Sequence, residues 1–277
     1  MRLRSYCMPE FREAISSAMQ REVRQRCGFG CVFCGKPFYD YDHIEEWSEV
    51  KEHEVDNLTL LCPEHHREKT NRLRSKEQVR IANANPFNRR NPSSSPYLLA
   101  YDGSSCTVSV GSNKFVQSIG PAYKEPLALN GEPLVKIRTE EGHLLLSAKL
   151  SDSSGSTILS IEENVLTYDT ELWDVTFVAN TLVVREGRRK VTAKIVFEPP
   201  SAITIERGYF SHEGLLVQVT PREIIEKKCN NIISGITVSD VPFVRGICIT
   251  DAEHRGMVPP STAAIRFITA PCVEVSR

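Results

Sequence analysis

Short apolar runs separated by polar breaks dominate the chain from residue 97 to its end. They are rich in Val, Ile, Leu and Thr, often alternate with a period of two, and recur about every ten residues between Gly, Ser, Asp or Pro. Such alternation places one side of each strand in a core and the other side in solvent. The pattern predicts an all-β region over residues 97–277, with a sandwich as the first choice and a small barrel or a strand–turn solenoid as alternatives.

Three segments of this region carry more specific signals. The segments "SDSSGS" (residues 151–156) and "REGRRK" (residues 185–190) stand between apolar runs and are predicted hairpin turns. The segment "PREIIEKKC" (residues 221–229) is predicted to form one short helix.

The first 90 residues have a helical pattern instead. After Pro9, apolar residues recur at every fourth position: Phe11, Ile15, Met19 and Val23. This spacing predicts an amphipathic helix over residues 9–26, ended by Gly28. Pro63 is expected to open a second helix that reaches about Ala82 and carries Arg and Lys on its outer face.

The segment "NRRNPSSSP", residues 88–96, is polar, short of large side chains and rich in proline. These properties are typical of a linker. A chain of 277 residues is also long for a single core. We therefore expect an α+β, multidomain protein in which residues 1–90 and 97–277 form separate domains joined by residues 88–96.

Charge and cysteine content narrow the class of protein. The formal net charge is −1, so the chain as a whole is not a strongly basic binder of polyanions. The nine cysteines are an odd number concentrated towards the front, which favours metal ligation in a reducing compartment over a disulfide framework. No apolar run approaches the ~18 residues of a membrane span, so we expect a soluble, cytoplasmic protein without a membrane partner.

Two ligand pairs share one spacing. Cys31 and Cys34 are separated by two residues, and so are Cys62 and His65. Two-residue spacing lets both side chains of a turn reach one ion, and four such ligands complete the closed tetrahedral site of a structural Zn²⁺ ion. A redox Cys-x-x-Cys motif or packed thiols are the alternatives for the first pair alone. The second pair favours zinc.

His66 is left over when His65 binds zinc, and as its neighbour in a helix it must point elsewhere. Asp42 and His43 form another adjacent pair. A carboxylate and an imidazole from separate segments can hold a hard divalent ion and leave positions for water and phosphate. A hydrogen-bonded pair at a strand end and a surface histidine are the structural alternative. Four other histidines have no partner in the sequence and are expected to be structural or exposed: His53, His143, His212 and His254.

Residues 27–70, "CGFGCVFCGKPFYDYDHIEEWSEVKEHEVDNLTLLCPEHHREKT", resemble the zinc-braced HNH endonucleases, which have a ββα-metal motif. The resemblance rests on the Cys pair, the Asp-His pair, the Asn-Leu turn, the Cys-x-x-His-His helix start and the trailing Lys-Thr. It implies that His43 is the general base and that Asn57 braces the loop that orients it. It also implies that Asp42 and His66 bind a catalytic Mg²⁺ or Mn²⁺ ion.

We therefore expect a metal-dependent HNH endonuclease that hydrolyses DNA phosphodiester bonds, with RNA as an open alternative substrate. The competing hypothesis is a non-catalytic zinc module that binds nucleic acid. Residues 67–90 carry a local excess of positive charge. The expected contacts with the phosphate backbone are Arg67, Lys69, Arg72 and Arg74.

The β region is expected to serve targeting, regulation, or assembly with another copy or a regulatory partner. Its net charge of −3 argues against a wide contact with DNA, and the basic turn at residues 185–190 is the one place in it expected to touch phosphate. A zinc-braced HNH head joined to another domain occurs in restriction enzymes, mobile elements and bacterial antiviral defence effectors. The resemblance of architecture thus favours a role in antiviral defence or restriction.

Overall fold

The computed structural model describes residues 13–240, 242, 244–256 and 263–269, and these residues form a mostly β structure with few helices. The elements of the N-terminal part are α1 (Ser17–Arg26), β1 (Asp40–His43), α2 (Trp47–Val50), β2 (Leu58–Leu61), α3 (Pro63–Thr70) and α4 (Lys76–Ala84). Two 3₁₀ turns cover Val55–Asn57 and Phe87–Arg90. No described helix has the length and apolar character needed to cross a membrane.

Strands β1 and β2 form an antiparallel hairpin in which His43 pairs with Leu58 and Asp40 with Leu61. Because side chains alternate along a strand, Asp40 and Asp42 share one face of β1 and Tyr41 lies on the other. Helix α3 begins directly after β2, where Cys62 is the N-cap residue and Pro63 occupies the first turn. The result is a ββα unit whose single helix begins next to the zinc-type ligands.

Two predicted helices differ from the structure at their ends. Helix α1 begins at Ser17 because the Ser16 side chain accepts the amide hydrogen of Met19 as an N-cap. Residues 9–12 of that prediction lie outside the described residues. The prediction of one helix from Pro63 to about Ala82 is wrong, because α3 ends at Thr70.

The break between α3 and α4 has a local cause. Arg72 adopts a left-handed conformation with a φ of 58°, which ends the helix. Ser75 then starts α4 through a reciprocal capping box, in which its side chain binds the amide of Gln78 and the Gln78 side chain binds the amide of Ser75. The Ser-x-x-Gln sequence at this position is the signal that separates the two helices.

The β region contains eighteen described strands. The first nine are β3 (Tyr97–Leu98), β4 (Ser105–Val110), β5 (Asn113–Ser118), β6 (Lys124–Leu129), β7 (Glu132–Glu140), β8 (His143–Ser151), β9 (Thr157–Glu162), β10 (Val165–Tyr168) and β11 (Asp174–Val178). The others are β12 (Thr181–Gly187), β13 (Lys190–Glu198), β14 (Ala202–His212), β15 (Leu215–Val219), β16 (Ile224–Glu226), β17 (Ile232–Ile233), β18 (Thr237–Ser239), β19 (Arg245–Thr250) and β20 (Ala263–Ile268).

These strands form two antiparallel successions, from β6 to β10 and from β11 to β17. Four pairs are parallel: β4 with β14, β5 with β18, β6 with β19, and β19 with β20. The long strand β14 belongs to both branches of the sheet. Its first half pairs with β13 and, in parallel, with β4, whereas its second half pairs with β15 and meets β8 at one position. The pairings among the described strands do not form a ring, so the barrel alternative is wrong.

One buried cluster joins both branches of the sheet. It includes Val108 and Ile203 from the β4–β14 pair and Leu127 and Leu146 from the succession that begins at β6. A shared core is the property that a sandwich requires. The sandwich arrangement itself stays a prediction. A separate, smaller cluster lies in the N-terminal part and contains Val23, Val32, Leu58, Leu60, Leu61, Ala82 and three of the N-terminal cysteines.

The local predictions for the β region had mixed outcomes. Both hairpin turns are confirmed, because Ser151 pairs with Thr157 and Gly187 pairs with Lys190. The prediction of a helix at residues 221–229 is wrong, because residues 224–226 form β16 between β15 and β17. The Glu226 carboxylate accepts the amide hydrogens that follow this strand and so closes a tight loop instead of a helical turn.

Residues 88–96 are not a free tether. The buried Asn88 side chain donates to the carbonyl groups of Gly28 and Gly35 and accepts the amide of Ser95. Gly35 has a φ of +71°, and a Cβ atom there would lie 2.1 Å from Asn88 Oδ1, so this contact requires glycine. Ser94 donates its amide hydrogen to Tyr168 O in the β region. The segment therefore packs against both parts of the chain, and the domain boundary within it stays a prediction.

Candidate active site

Four side chains from two segments converge beside the start of α3. Their ligand atoms, from Cys31, Cys34, Cys62 and His65, all lie within 4.8 Å of one another. The Cys34 and Cys62 sulfurs are 3.8 Å apart, and His65 Nδ1 lies 3.4 Å from Cys31 Sγ and 3.1 Å from Cys62 Sγ. A tetrahedral zinc ion with Zn–S of about 2.3 Å and Zn–N of about 2.0 Å separates its ligands by about 3.5–3.8 Å. Both the donor set and the spacing therefore fit a structural Zn²⁺ ion.

Backbone hydrogen bonds hold this knuckle against the hairpin. Val32 donates to Leu60 O at 3.0 Å, and Cys31 donates to Lys36 O at 3.0 Å. Hydrogen bonding from the Cys34 thiol outweighs burial and, with backbone donors, lowers the pKa of Cys31. The same hydrogen bond, together with burial, raises the pKa of Cys34. The environment thus favours at least one thiolate, which is the form of cysteine that binds zinc.

A second constellation lies on the other side of α3, where His66 faces β1. Its Nε2 atom is 3.4 Å from Asp42 Oδ1, and its Nδ1 atom is 3.4 Å from Asp40 Oδ2. A separation of 3.4 Å suits an oxygen and a nitrogen that share one divalent ion at about 2.1 Å from each. His66 is only half-buried, so this face of the site is open to solvent.

Lys69 holds the opposite side of the Asp42 carboxylate. Its Nζ atom lies 2.8 Å from Asp42 Oδ2, donates to His43 O, and lies 3.5 Å from Glu46 Oε1. The side chain is buried. Lys69 therefore directs its charge into the site and not outward from the helix, and its contact with phosphate stays a prediction.

His43 ends β1 and is buried beside His53, which was expected to be structural or exposed. His43 Nε2 lies 3.0 Å from His53 Nδ1, and the two rings stack with centroids 5.1 Å apart. The ring of Trp47 covers both of them. No pattern in the sequence indicates His53, because it reaches His43 across the loop that contains α2.

The hydrogen bonds of His53 define which nitrogen of His43 carries the proton. His53 Nε2 lies 2.7 Å from Glu13 O, and a carbonyl oxygen only accepts, so this nitrogen donates. In neutral His53 the Nδ1 atom then accepts, which places a proton on His43 Nε2. In neutral His43 the basic nitrogen is consequently Nδ1.

Asn57 fixes the chain immediately after His43. Its Oδ1 atom accepts the Glu45 amide at 2.7 Å, and its Nδ2 atom donates to Glu45 O at 3.3 Å. The Asn57 carbonyl also accepts the Ile44 amide at 2.8 Å. These contacts brace the turn that carries His43, as the resemblance implies, and the part that Asn57 plays in catalysis stays a prediction.

The predicted phosphate contacts differ in their surroundings. Arg67 and Arg72 are exposed and form no ion pair with a described residue. Arg74 instead pairs with Glu68 at 2.6 Å and lies over the Phe33 ring at 4.1 Å, so it braces the cysteine knuckle. Of the four predicted residues, Arg67 and Arg72 are therefore the best placed to contact a phosphate backbone.

Residues 31–72 match the family model described as HNH endonuclease. The match spans the four zinc-type ligands and the constellation of Asp42, His43, Asn57 and His66. The N-terminal part of this chain is therefore an HNH domain, and the HNH family generally consists of nucleases. Comparison with curated proteins and with solved structures gave no match.

Proposed function

We propose that this protein is a metal-dependent HNH endonuclease that hydrolyses phosphodiester bonds of DNA. The reaction would take place at the site between β1 and α3. The observation that carries the proposal is the 3.4 Å approach of His66 to Asp42, the residue that precedes His43 in the chain, within the segment that matches the HNH family. RNA is the alternative substrate, because the phosphodiester bond is common to both nucleic acids.

The residues of the site have separate roles in this proposal. Asp42 and His66 would hold Mg²⁺ or Mn²⁺, which supplies positive charge for the phosphate and lowers the pKa of bound water. His43 accepts the proton of the attacking water at Nδ1, while His53 keeps the other ring nitrogen protonated. Asn57 maintains the position of His43 through the loop at Glu45.

The zinc cluster supports the site from a distance. The β2–α3 junction supplies two of its four ligands, and the same junction positions His66. Zinc-finger peptides gain about 10 kcal/mol or more of folding free energy from their ion. In the proposal, structural Zn²⁺ therefore contributes to the folding of the N-terminal part and takes no part in hydrolysis.

The remaining features complete the proposal. Arg67 and Arg72 track the phosphate backbone. The β region serves targeting, regulation or assembly. Activity in the cytoplasm, in antiviral defence or in restriction, belongs to the same proposal. The defence or restriction role rests on resemblance of architecture alone.

A non-catalytic zinc module that binds nucleic acid is the second candidate function. One observation favours it, namely the Lys69 ammonium group 2.8 Å from Asp42 Oδ2. A cation in this position neutralises part of the carboxylate charge that a divalent ion would need.

Plasmid DNA separates the two candidates. The zinc-loaded full chain is incubated with supercoiled plasmid, with and without added Mg²⁺ or Mn²⁺, beside the Asp42→Asn variant. The nuclease proposal predicts nicked or linear DNA only with the added ion, and loss of cleavage in the variant at unchanged zinc content. Binding in a gel-shift assay without cleavage under any of these conditions would establish the second candidate.

A further inference from the structure

A cavity of about 480 Å³ opens between α1, β1 and the first strands of the second antiparallel succession, β11 and β12. Tyr41 lines it from β1. Because Tyr41 alternates with Asp40 and Asp42 along the strand, the cavity lies on the face of the hairpin opposite the Asp40, Asp42 and His66 side chains. The proposed catalytic residues are not among those that line it.

Three guanidinium groups give this cavity its charge: those of Arg21, Arg185 and Arg188. Arg21 lies over the Trp173 ring at 4.6 Å, and Arg185 donates to Thr176 Oγ1 at 3.4 Å. Arg188 is exposed in the turn between β12 and β13. None of the three pairs with a carboxylate among the described residues, so their charges are available to an anion.

The cavity's one aspartate is already occupied. Asp174 accepts two hydrogen bonds of 2.8 Å from Arg24, and both side chains are buried. Arg24 also donates to the Tyr41 hydroxyl at 2.5 Å. The buried pair thus neutralises itself, and the net charge of the cavity comes from the three other arginines.

Aromatic side chains form the rest of the wall. They are Tyr39, Tyr41, Trp173 and Phe177, of which Phe177 is buried in the core and Trp173 has the Arg21 guanidinium over its ring. A guanidinium group binds phosphate through a pair of parallel hydrogen bonds, and aromatic rings stack on nucleobases. The volume falls in the range of about 300–1,000 Å³ that is usual for small-molecule sites. Phosphate and a flat aromatic ring occur together in a nucleotide.

We propose that this cavity binds a nucleotide unit, whose phosphate contacts Arg21, Arg185 and Arg188 and whose base packs against the aromatic wall. The unit comes either from a free nucleotide or from a nucleic-acid strand, which share this chemistry. Since Arg21 belongs to α1 and the two other arginines belong to the β region, the bound phosphate would join the two parts of the chain. The basic turn of residues 185–190 is thereby assigned a function.

Calorimetry on the zinc-loaded full chain without added magnesium tests this assignment. The probes are ATP, a short single-stranded DNA and inorganic pyrophosphate. Arg188→Ala is expected to weaken binding of ATP or of the DNA, whichever the full chain binds, by at least about tenfold. This factor corresponds to the loss of one charged hydrogen bond. Arg189→Ala is the matched control, because Arg189 is the exposed neighbour of Arg188 and does not line the cavity. It is expected to leave affinity within about twofold.

Each outcome has a defined meaning. Binding of ATP that depends on Arg188 supports a free nucleotide as ligand, and binding of the DNA alone with the same dependence supports a strand. The assignment is overturned if neither ATP nor the DNA binds, or if Arg188→Ala and Arg189→Ala have equal effects. It is also overturned if pyrophosphate binds as tightly as ATP or the DNA, whichever of the two binds. Cleavage is not measured, so the result is independent of the proposed nuclease activity.

Discussion

Neighbouring side chains in α3 have different partners because successive helical residues point about 100° apart. His65 faces Cys31 and Cys62, whereas His66 faces Asp42 and Asp40 on β1. Two adjacent imidazoles can thus serve two metal sites, one closed by three sulfurs and one open to solvent. A single histidine in this position could serve only one of them.

Substitution of the two histidines is expected to separate these sites. His65→Ala should lose zinc and lower the thermal stability of the N-terminal part, because three thiolates alone leave the tetrahedral site incomplete. His66→Ala should retain one zinc ion per chain while losing cleavage. Mass spectrometry for metal content after gel filtration, with circular dichroism as the measure of folding, gives the comparison. Equal loss of zinc in both variants would show that the ligand assignment is wrong.

His53 is expected to act as a positioning residue for His43, since the two rings share a hydrogen bond of 3.0 Å. His53→Ala should reduce kcat for cleavage by about 10- to 100-fold with little change in KM, as for other residues that orient a functional histidine. His53→Gln should restore part of the rate, because its amide oxygen can accept the same proton.

His143→Ala is the control for that variant, because His143 is an exposed residue of the β region. A rate in His53→Ala equal to that of the control would contradict the role assigned to His53. So would equal rates for the Ala and Gln variants of His53.

Helix α3 has two basic faces with different environments. Arg67 is exposed, while Lys69 is buried against Asp42 and the end of β1. The sequence shows only that both residues are basic. Because they are two residues apart, they lie on different sides of the helix, and the position of β1 determines which side is covered.

Two substitutions on α3 are expected to affect different properties, DNA binding for Arg67 and stability for Lys69. Arg67→Ala should weaken DNA binding and reduce the salt dependence by about one unit of slope, with the melting temperature unchanged. Lys69→Ala should lower the free energy of unfolding by about 3 kcal/mol, at the low end for a broken buried pair because Asp42 keeps some contact with solvent. Binding at several salt concentrations and urea unfolding without magnesium measure the two effects. A stable Lys69→Ala variant with weakened DNA binding would reverse this assignment.

Signals close together in sequence predicted the elements best. The Cys-x-x-Cys and Cys-x-x-His pairs indicated one ligand cluster because each pair lies within a single turn. The two hairpin turns were likewise visible from their flanking apolar runs. The break at Ser75 is not apparent from the charge pattern, because residues 63–82 form one long basic segment and the Ser75–Gln78 capping box is the local signal that divides it.

Contacts between distant segments could not be predicted. His53 meets His43 only because the loop containing α2 folds back over the end of β1. The partition of β14 between two branches depends on which strands pair with it, and apolar alternation alone does not specify partners. Residues 224–226 form β16 because neighbouring strands offer pairing on both sides, which overrides the weak helical preference of residues 221–229.

Across the whole chain, the HNH part and the β region share a polar and aromatic junction. Arg24 of α1 binds Asp174 of β11, and burial tends to lower the pKa of Arg24 while the hydrogen bond to Asp174 raises it overall. Tyr168 donates to Phe29 O at 2.8 Å, and Phe38 packs on Phe177 with ring centroids 4.4 Å apart. The β region therefore packs directly against the helix and knuckle that precede the candidate active site.

Removal of one charge from this junction is expected to destabilise the protein strongly. Asp174→Ala leaves the buried Arg24 guanidinium without its carboxylate and should lower the free energy of unfolding by about 3–5 kcal/mol. Glu171→Ala is the control, because Glu171 pairs with Arg89 at the surface and should contribute about 0–1 kcal/mol. Urea unfolding followed by circular dichroism measures both. Similar values for the two variants would show that the buried pair does not stabilise the junction.

The rate of plasmid nicking by His43→Ala, relative to wild type in the presence of magnesium, tests the nuclease proposal most directly. His43 is expected to be the general base, so its loss should reduce the rate by about 10²- to 10⁴-fold. Zinc content and DNA affinity should be unchanged, because His43 is neither a zinc ligand nor a phosphate contact. Cleavage by His43→Ala at the wild-type rate would contradict the assignment of the base and, with it, the mechanism proposed for this site.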